Sequence, residues 1–263
     1  MNMHKSANNS PRHRSAFTLV ELLAVIFIIA LLSTLILAGV HRAQRSSRIA
    51  KTRANLATIS SAIEQYHSDF RVYPGMPTPA GGTTQYTILA QALVGPGPAT
   101  EDGADGTGFR VPDPSTGQFD KNSKVWEAYI SPERIPVHQY ARGWAFMDSF
   151  DNPIRYFPKR KTLNPKQPGT IVDSTGNCIF DVRDGEHPQS GFTQIDVDTF
   201  QVVVGDLNNT NSIDGEESLL VEGNFVLASS GPDGSFTLYG KGESPGLRRQ
   251  KMTKSDDIFN FER

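Results

Sequence analysis

The stretch Ala16-Phe17-Thr18-Leu19-Val20-Glu21-Leu22-Leu23 opens a long apolar run that continues to Val40. Between Phe17 and Val40 only Thr18, Glu21, Ser33, Thr34 and Gly39 are not Ala, Val, Ile, Leu or Phe. A helix of that length spans about 36 Å at 1.5 Å per residue, enough to cross a hydrocarbon core of about 30 Å with some tilt. The run therefore reads as a membrane-spanning helix. Ahead of it, residues 1–16 contain Lys5, Arg12 and Arg14 and no acid. Such a basic stub also begins a secretory signal peptide, but three features oppose that reading. The run is longer than a signal h-region, no small-x-small cleavage site follows Val40-His41-Arg42, and Glu21 lies inside it. A carboxylate within a spanning helix is costly, so Glu21 either has a partner or a function, or reaches the headgroups from near the helix end.

On the carboxyl side of the run come Arg42, Arg45, Arg48, Lys51 and Arg53, which outnumber the three cations of the leader. By charge alone, the positive-inside rule would turn the amino terminus outward. Past this basic stretch, Ile49, Leu56, Ile59, Ile63, Tyr66 and Phe70 recur at spacings of 7, 3, 4, 3 and 4. That period marks one face of an amphipathic helix. Nothing breaks it before Tyr73-Pro74, so one rod is predicted from Phe17 to about Val72. Its basic residues read as a solvated face rather than a nucleic-acid patch.

The composition divides the same way. The chain has 263 residues, and before residue 74 its only Gly and Pro are Pro11 and Gly39, whereas sixteen fall within 74–117. The front quarter is built for helix and the next part for turns. A net charge of −2 with 21% charged residues excludes a protein that coats nucleic acid. One cysteine, Cys178, allows neither an intramolecular disulfide nor a Cys-based metal knuckle. No His-Glu-x-x-His, Gly-x-Ser-x-Gly or phosphate-cradling Gly-Lys-Ser/Thr occurs, so no catalytic residue is assigned.

The leader, Phe17-Thr18-Leu19-Val20-Glu21 and the apolar run together resemble the class III signal of type IV pilins and type II secretion pseudopilins. The resemblance implies a prepilin peptidase that cuts Ala16–Phe17 on the cytoplasmic side and N-methylates Phe17. It also implies a role for Glu21, as partner of the Phe17 amine of a neighbouring subunit during assembly. The family usually has Gly before the cut, where this chain has Ala16. On this resemblance the amino terminus lies in the cytoplasm, against the charge count. The subunit is then a single-pass inner-membrane protein with its carboxyl-terminal domain in the periplasm.

In the globular part, a short helix is predicted over Tyr86–Val94, a loop-like insertion over 95–123 and a short helix over Val125–Ile130. Tyr140, Trp144, Phe146, Phe150, Tyr156 and Phe157 read as the core of a small domain. Strands are predicted at Ile154–Phe157, Cys178–Val182, Phe200–Val204, Asn224–Ser229 and Phe236–Tyr239. Tyr73-Pro74, Ala90-Gln91-Ala92-Leu93-Val94, the turn from Asp148 to Tyr156, Ser229-Ser230-Gly231-Pro232-Asp233-Gly234 and the end from Asp256 to Phe261 resemble landmarks of the major pseudopilin. Residues near 95–123 and 158–223 are insertions relative to it. The fold class expected is α+β: a long amino-terminal helix packed on a small antiparallel sheet. Its parts are the leader (1–16), the transmembrane and polymerisation helix (17–40), its amphipathic continuation (41–73) and the periplasmic domain (74–263).

The same resemblance implies calcium. Its main candidate ligands are Ser229, Ser230, Asp233, Asp256 and Asp257, since Ca²⁺ takes six to eight oxygens from carboxylates and carbonyls held by turns. On the residues alone, Pro-Asp-Gly reads rather as a turn and Asp256-Asp257 as a solvated end. A weaker candidate is the EF-hand-like spacing of Asp206, Asn208, Thr210, Ser212, Asp214 and Glu217, with Asn211 where glycine is expected. An ordinary polar loop explains that stretch equally well, and Asp102-Gly-Ala-Asp105-Gly reads as a turn. The implied partners are further copies in a filament, minor pseudopilins, the prepilin peptidase, and an inner-membrane assembly platform with its ATPase; no nucleic acid is expected. The function expected is a structural subunit of a type II secretion pseudopilus. The competing readings are a type IV pilus subunit for adhesion, motility or DNA uptake, and a single-pass anchored enzyme or binding protein.

Overall fold

The computed structural model describes residues 18–74, 85–96, 104, 106–110, 120–140, 143–159, 170–172, 178–181, 197–205, 223–236, 247, 250–251 and 255–261. The chain divides into two units, Met1–Ser46 and Ser47–Arg263. One helix, α1 (Leu19–Phe70), begins in the first unit and ends in the second. It stops where Arg71 turns into the left-handed region at φ 59°, its N–H still bonded to the His67 carbonyl at 2.8 Å. Tyr73 then stacks on His67 with ring centroids 4.2 Å apart. The Tyr73 hydroxyl donates to Glu64 at 3.2 Å and accepts from Asn224 Nδ2 at 2.9 Å.

In the second unit the predicted stripe is the buried face of α1: Leu56, Ile59, Ala62 and Ile63 are core residues, with Ile49 and Tyr66 packed against them. Helix α2 (Gln85–Leu93), close to its predicted span, adds Leu89, Ala90 and Leu93. The central sheet has three antiparallel strands in the order β3 (Arg155–Pro158), β6 (Phe225–Ser229), β7 (Ile258–Phe259). Two hairpins complete the strands: β1–β2 (Val137–Tyr140, Gly143–Phe146) precedes β3, and β4–β5 (Thr170–Val172, Cys178–Asp181) lies between β3 and β6 in sequence.

The alternation of side chains across a strand explains how the central sheet is buried on both faces. Tyr156, Phe225, Leu227 and Ile258 join the cluster of α1 and α2. Their neighbours Phe157, Val226, Ala228 and Phe259 join a second cluster with Phe180, Phe200, Val203 and Val204. The sheet therefore lies between two apolar layers, of which the helix-covered one is the expected α+β packing. Ile59 is fully buried in the first cluster. Ile59→Val is expected to cost about 1 kcal/mol, read as a lower Tm of the full chain in detergent by circular dichroism.

Two local expectations are corrected. Phe200–Val204 is not a strand but the end of helix α3 (Val197–Val204). A short β-branched run buried on all sides has no period by which helix and strand differ, and here Thr199, Phe200, Gln201, Val202, Val203 and Val204 are all buried. Val125–Ile130 is not a helix, because its amides bond to other segments. Trp126 and Phe109 exchange N–H···O bonds of 2.8 and 3.1 Å, and Tyr129 N–H donates to the Leu93 carbonyl at 2.7 Å. Phe236 is buried without belonging to a strand, and 237–239 lie outside the described residues. The stretch 158–223 also contributes to the second core through β5 and α3. Nothing in its sequence resemblance had indicated this.

Candidate functional site

The first unit supplies the most distinctive surface. Every described large apolar side chain from Leu19 to Ile36 is exposed, from 48% at Val25 to 77% at Leu19. So extensive an apolar surface on a helix marks contact with lipid or with another protein. Among the described residues no helix is long and apolar enough to cross a membrane. The exposed side chains from Leu19 to Thr34 lie along about 24 Å of helix. Arg42, Arg45, Arg48, Lys51 and Arg53 are exposed beyond it.

Ala16 and Phe17, the expected cleavage and methylation residues, lie outside the described residues. Glu21 is described, and it has a local role that spacing alone makes legible. Thr18 and Glu21 form a capping box: Thr18 N–H donates to Glu21 Oε2 at 2.9 Å, and Glu21 N–H donates to Thr18 Oγ1 at 3.2 Å. The Thr18 hydroxyl also donates to Glu21 Oε2 at 2.9 Å. Reciprocal bonds of this kind satisfy amides that a helix start otherwise leaves open. The Glu21 side chain is exposed, free of any apolar cover that would bar it from meeting another chain.

The carboxyl-terminal loop is the second candidate. The 3₁₀ turn Gly231–Asp233 follows β6, and β7 pairs back on it with Ser229 opposite Ile258. Ser229–Gly234 and Asp256–Asp257 are thereby brought together, as the calcium expectation requires. Ser229, Ser230 and Asp257 are buried. Some of their oxygens bond within the protein, whereas Asp257 Oδ1 is buried with no hydrogen bond to it among the described residues. The Ser229 hydroxyl donates to Asp148 Oδ2 at 2.6 Å and accepts from Gly231 N–H at 3.1 Å. Asp233 Oδ1 accepts from Ser235 N–H at 2.9 Å, and Asp257 Oδ2 accepts from the Ser255 hydroxyl at 2.9 Å. Among the described residues no three His, Cys, Asp or Glu side chains stand where they could share a metal ion. Asp206, Asn208, Thr210, Ser212, Asp214 and Glu217 lie outside the described residues.

Asp148 and Asn152 were landmarks in the sequence but not site residues, and they are the hub of this region. The turn they bound joins β2 to β3, with Asp148 N–H donating to the Asn152 carbonyl at 2.9 Å and Asp151 in the left-handed region at φ 65°. Asp148 Oδ1 accepts from the amides of Phe150 at 2.7 Å and Asn152 at 2.9 Å. Burial pushes the Asp148 carboxyl above the usual carboxylate range, opposed by its bonds from Ser229, Asn152 and Phe150. The signal that could have exposed this role is an Asp four residues before Asn-Pro, a spacing suited to a carboxylate that closes its own turn.

The comparisons with known proteins fall on the amino terminus. Residues 11–37 match the family model described as the prokaryotic N-terminal methylation motif. Nothing among curated proteins or solved structures matches the chain. The matched segment contains the end of the leader with Arg12 and Arg14, the Ala16–Phe17 bond, the capping box and the greater part of the exposed apolar run, so the chain carries the prepilin-type signal of type IV pilin-like proteins.

Proposed function

We propose that the chain is a structural subunit of a type II secretion pseudopilus. A prepilin peptidase cuts it at Ala16–Phe17 and methylates the new amine. An inner-membrane platform and its ATPase then draw it, with minor pseudopilins, into a helical filament. The observation that carries this reading is the methylation motif at 11–37 lying over a helix start whose apolar side chains have no cover within the subunit. Before assembly the run from Phe17 to Val40 sits in the inner membrane with the globular part in the periplasm. In the filament the same side chains pack against other copies. Secretion rather than a surface pilus is supported by the pairing of the loop after β6 with the chain end, the arrangement that the resemblance to the major pseudopilin implies.

Cleavage removes three cations and no acid, so the formal net charge moves from −2 to −5. Mass spectrometry of the membrane-purified protein is expected to find N-methylated Phe17 as the first residue. A mature protein beginning upstream of Phe17 would refute the reading. Deleting the gene is expected to leave exported proteins in the periplasm with surface pili intact; the reverse pattern would assign the subunit to a type IV pilus.

A further inference from the structure

We infer that the charge pattern of α1 sets the axial stagger between copies of this chain, with Arg48 and Arg53 of one copy level with Glu64 and Asp69 of another. The inference rests on the filament reading proposed above and names a contact that fixes its register. Along α1 the charges are segregated. Arg42, Arg45, Arg48, Lys51 and Arg53 follow the apolar run, and no acid occurs between Glu21 and Glu64. None of these cations therefore has a carboxylate three or four residues away, the spacing at which a helix pairs its own charges. Between Arg53 and Arg71 the helix then carries Glu64 and Asp69 and no lysine or arginine. Arg48, Lys51, Arg53, Glu64 and Asp69 are all exposed. Eight of the chain's 26 Lys and Arg precede residue 54, but only one of its 28 Asp and Glu does. The remainder carries 18 cations against 27 acids, so the basic stretch of one copy meets a surface of opposite sign on another.

Two parallel rods in register would set these cations beside their own counterparts, and like charges oppose that arrangement. Arg48 and Glu64 are sixteen residues apart, and so are Arg53 and Asp69. One displacement of about 24 Å along the rod brings both pairs level. The Tyr73 hydroxyl donates to Glu64 and the Tyr129 hydroxyl to Asp69. These bonds orient each carboxylate and leave it further lone pairs to accept an arginine. Lipid headgroups are the other anions near a basic stretch that follows an apolar run. Their layer is only about 5–8 Å deep on each side of the hydrocarbon core. Arg48, Lys51 and Arg53 come eight, eleven and thirteen residues after Val40, a rise of about 12–20 Å. They stand beyond that layer, where a second copy can meet them.

The test is charge reversal, read as sheared-filament yield by immunoblot, with cleavage at Ala16–Phe17 checked by mass spectrometry. Arg48→Glu with Arg53→Glu is expected to be cleaved normally and to lower the yield about tenfold, since an exposed pair is worth up to about fivefold and reversal turns attraction into repulsion. Glu64→Arg with Asp69→Arg is expected to do the same. Combining all four changes restores both pairs with their signs exchanged, and the yield is expected to return to within about twofold of the natural chain. Partners about 24 Å apart on one helix cannot meet within a subunit, so recovery reports a contact between copies. A four-change variant no better than either double variant would overturn the stagger, as would a double variant at the natural yield; both outcomes leave the filament reading standing. A natural chain that is cleaved yet builds no filament would remove that reading and the stagger together. Glu64→Gln with Asp69→Asn separates charge from folding, because both amides still accept the tyrosine hydroxyls. Its yield is expected to fall about threefold, and an unchanged yield refutes the inference.

Discussion

Glu21→Ala is expected to reach the membrane and be cleaved at Ala16–Phe17 like the natural chain, yet to yield almost no filament. In the single subunit Glu21 is satisfied by Thr18 through the capping box, so its loss there removes one helix cap, worth about 1 kcal/mol. That is too little to prevent folding or insertion. In the filament the loss is of another size. The amine freed at Phe17 is a cation, and packing it among apolar side chains without a carboxylate costs about 3–5 kcal/mol. The penalty recurs at each added subunit, so the elongation equilibrium falls by about two orders of magnitude or more. Glu21→Gln separates the two roles, because glutamine can complete a capping box but carries no charge. Both variants are expected to fail equally in sheared-filament yield, measured by immunoblot and electron microscopy, with cleavage normal by mass spectrometry. Filaments from Glu21→Gln at the natural yield would show that Glu21 acts as a cap and not as a counter-ion.

What could be read from the residues, and what could not, follows the range of the forces involved. The stripe from Ile49 to Phe70 was legible because a long helix repeats its signal over several turns, and its apolar positions from Ile49 to Tyr66 form the face that meets the core. Strands β3, β5 and β6 were legible because aromatic and β-branched residues cluster there between turn-forming residues. Val197–Val204 was not, since the run from Thr199 to Val204 is buried on every side and carries no period. The β1–β2 hairpin was missed for a related reason: Val137–Phe146 was noted only for its aromatic residues, whereas the pairing is Val137 with Phe146 and Tyr140 with Gly143. The carboxyl-terminal loop shows a third kind of limit. Sequence identified which oxygens are near one another, but not which way they point. Asp148 is decisive there, and its partner Ser229 lies 81 residues away, beyond any local pattern.

Gly231→Ala is expected to be far more damaging than Gly234→Ala, three residues on, although both glycines occupy the left-handed region at φ 67° and 71°. The conformational penalty for a side chain there is about 1–2 kcal/mol and is common to both. The surroundings differ. At Gly234 the nearest atom to an added Cβ is Asn152 Oδ1 at 3.3 Å, the end of a side chain that can shift slightly. At Gly231 it is the Asp256 carbonyl oxygen at 2.2 Å, with the Asp256 carbonyl carbon at 3.0 Å. That backbone leads directly into β7, whose pairing of Ile258 with Ser229 fixes its distance from β6. Relieving the clash means moving the strand, which exposes Ile258 and Phe259, each a member of one of the two cores. Losing even part of that burial adds about 2 kcal/mol to the conformational term, for a total near 3–4 kcal/mol. At about 2–4 °C per kcal/mol for a domain of this size, Gly231→Ala should melt about 10 °C below the natural chain and Gly234→Ala within about 5 °C of it. Thermal melts of the two full-length variants in the same detergent decide the matter. Equal losses would mean that β7 yields readily and that the loop after β6 is not held against the chain end.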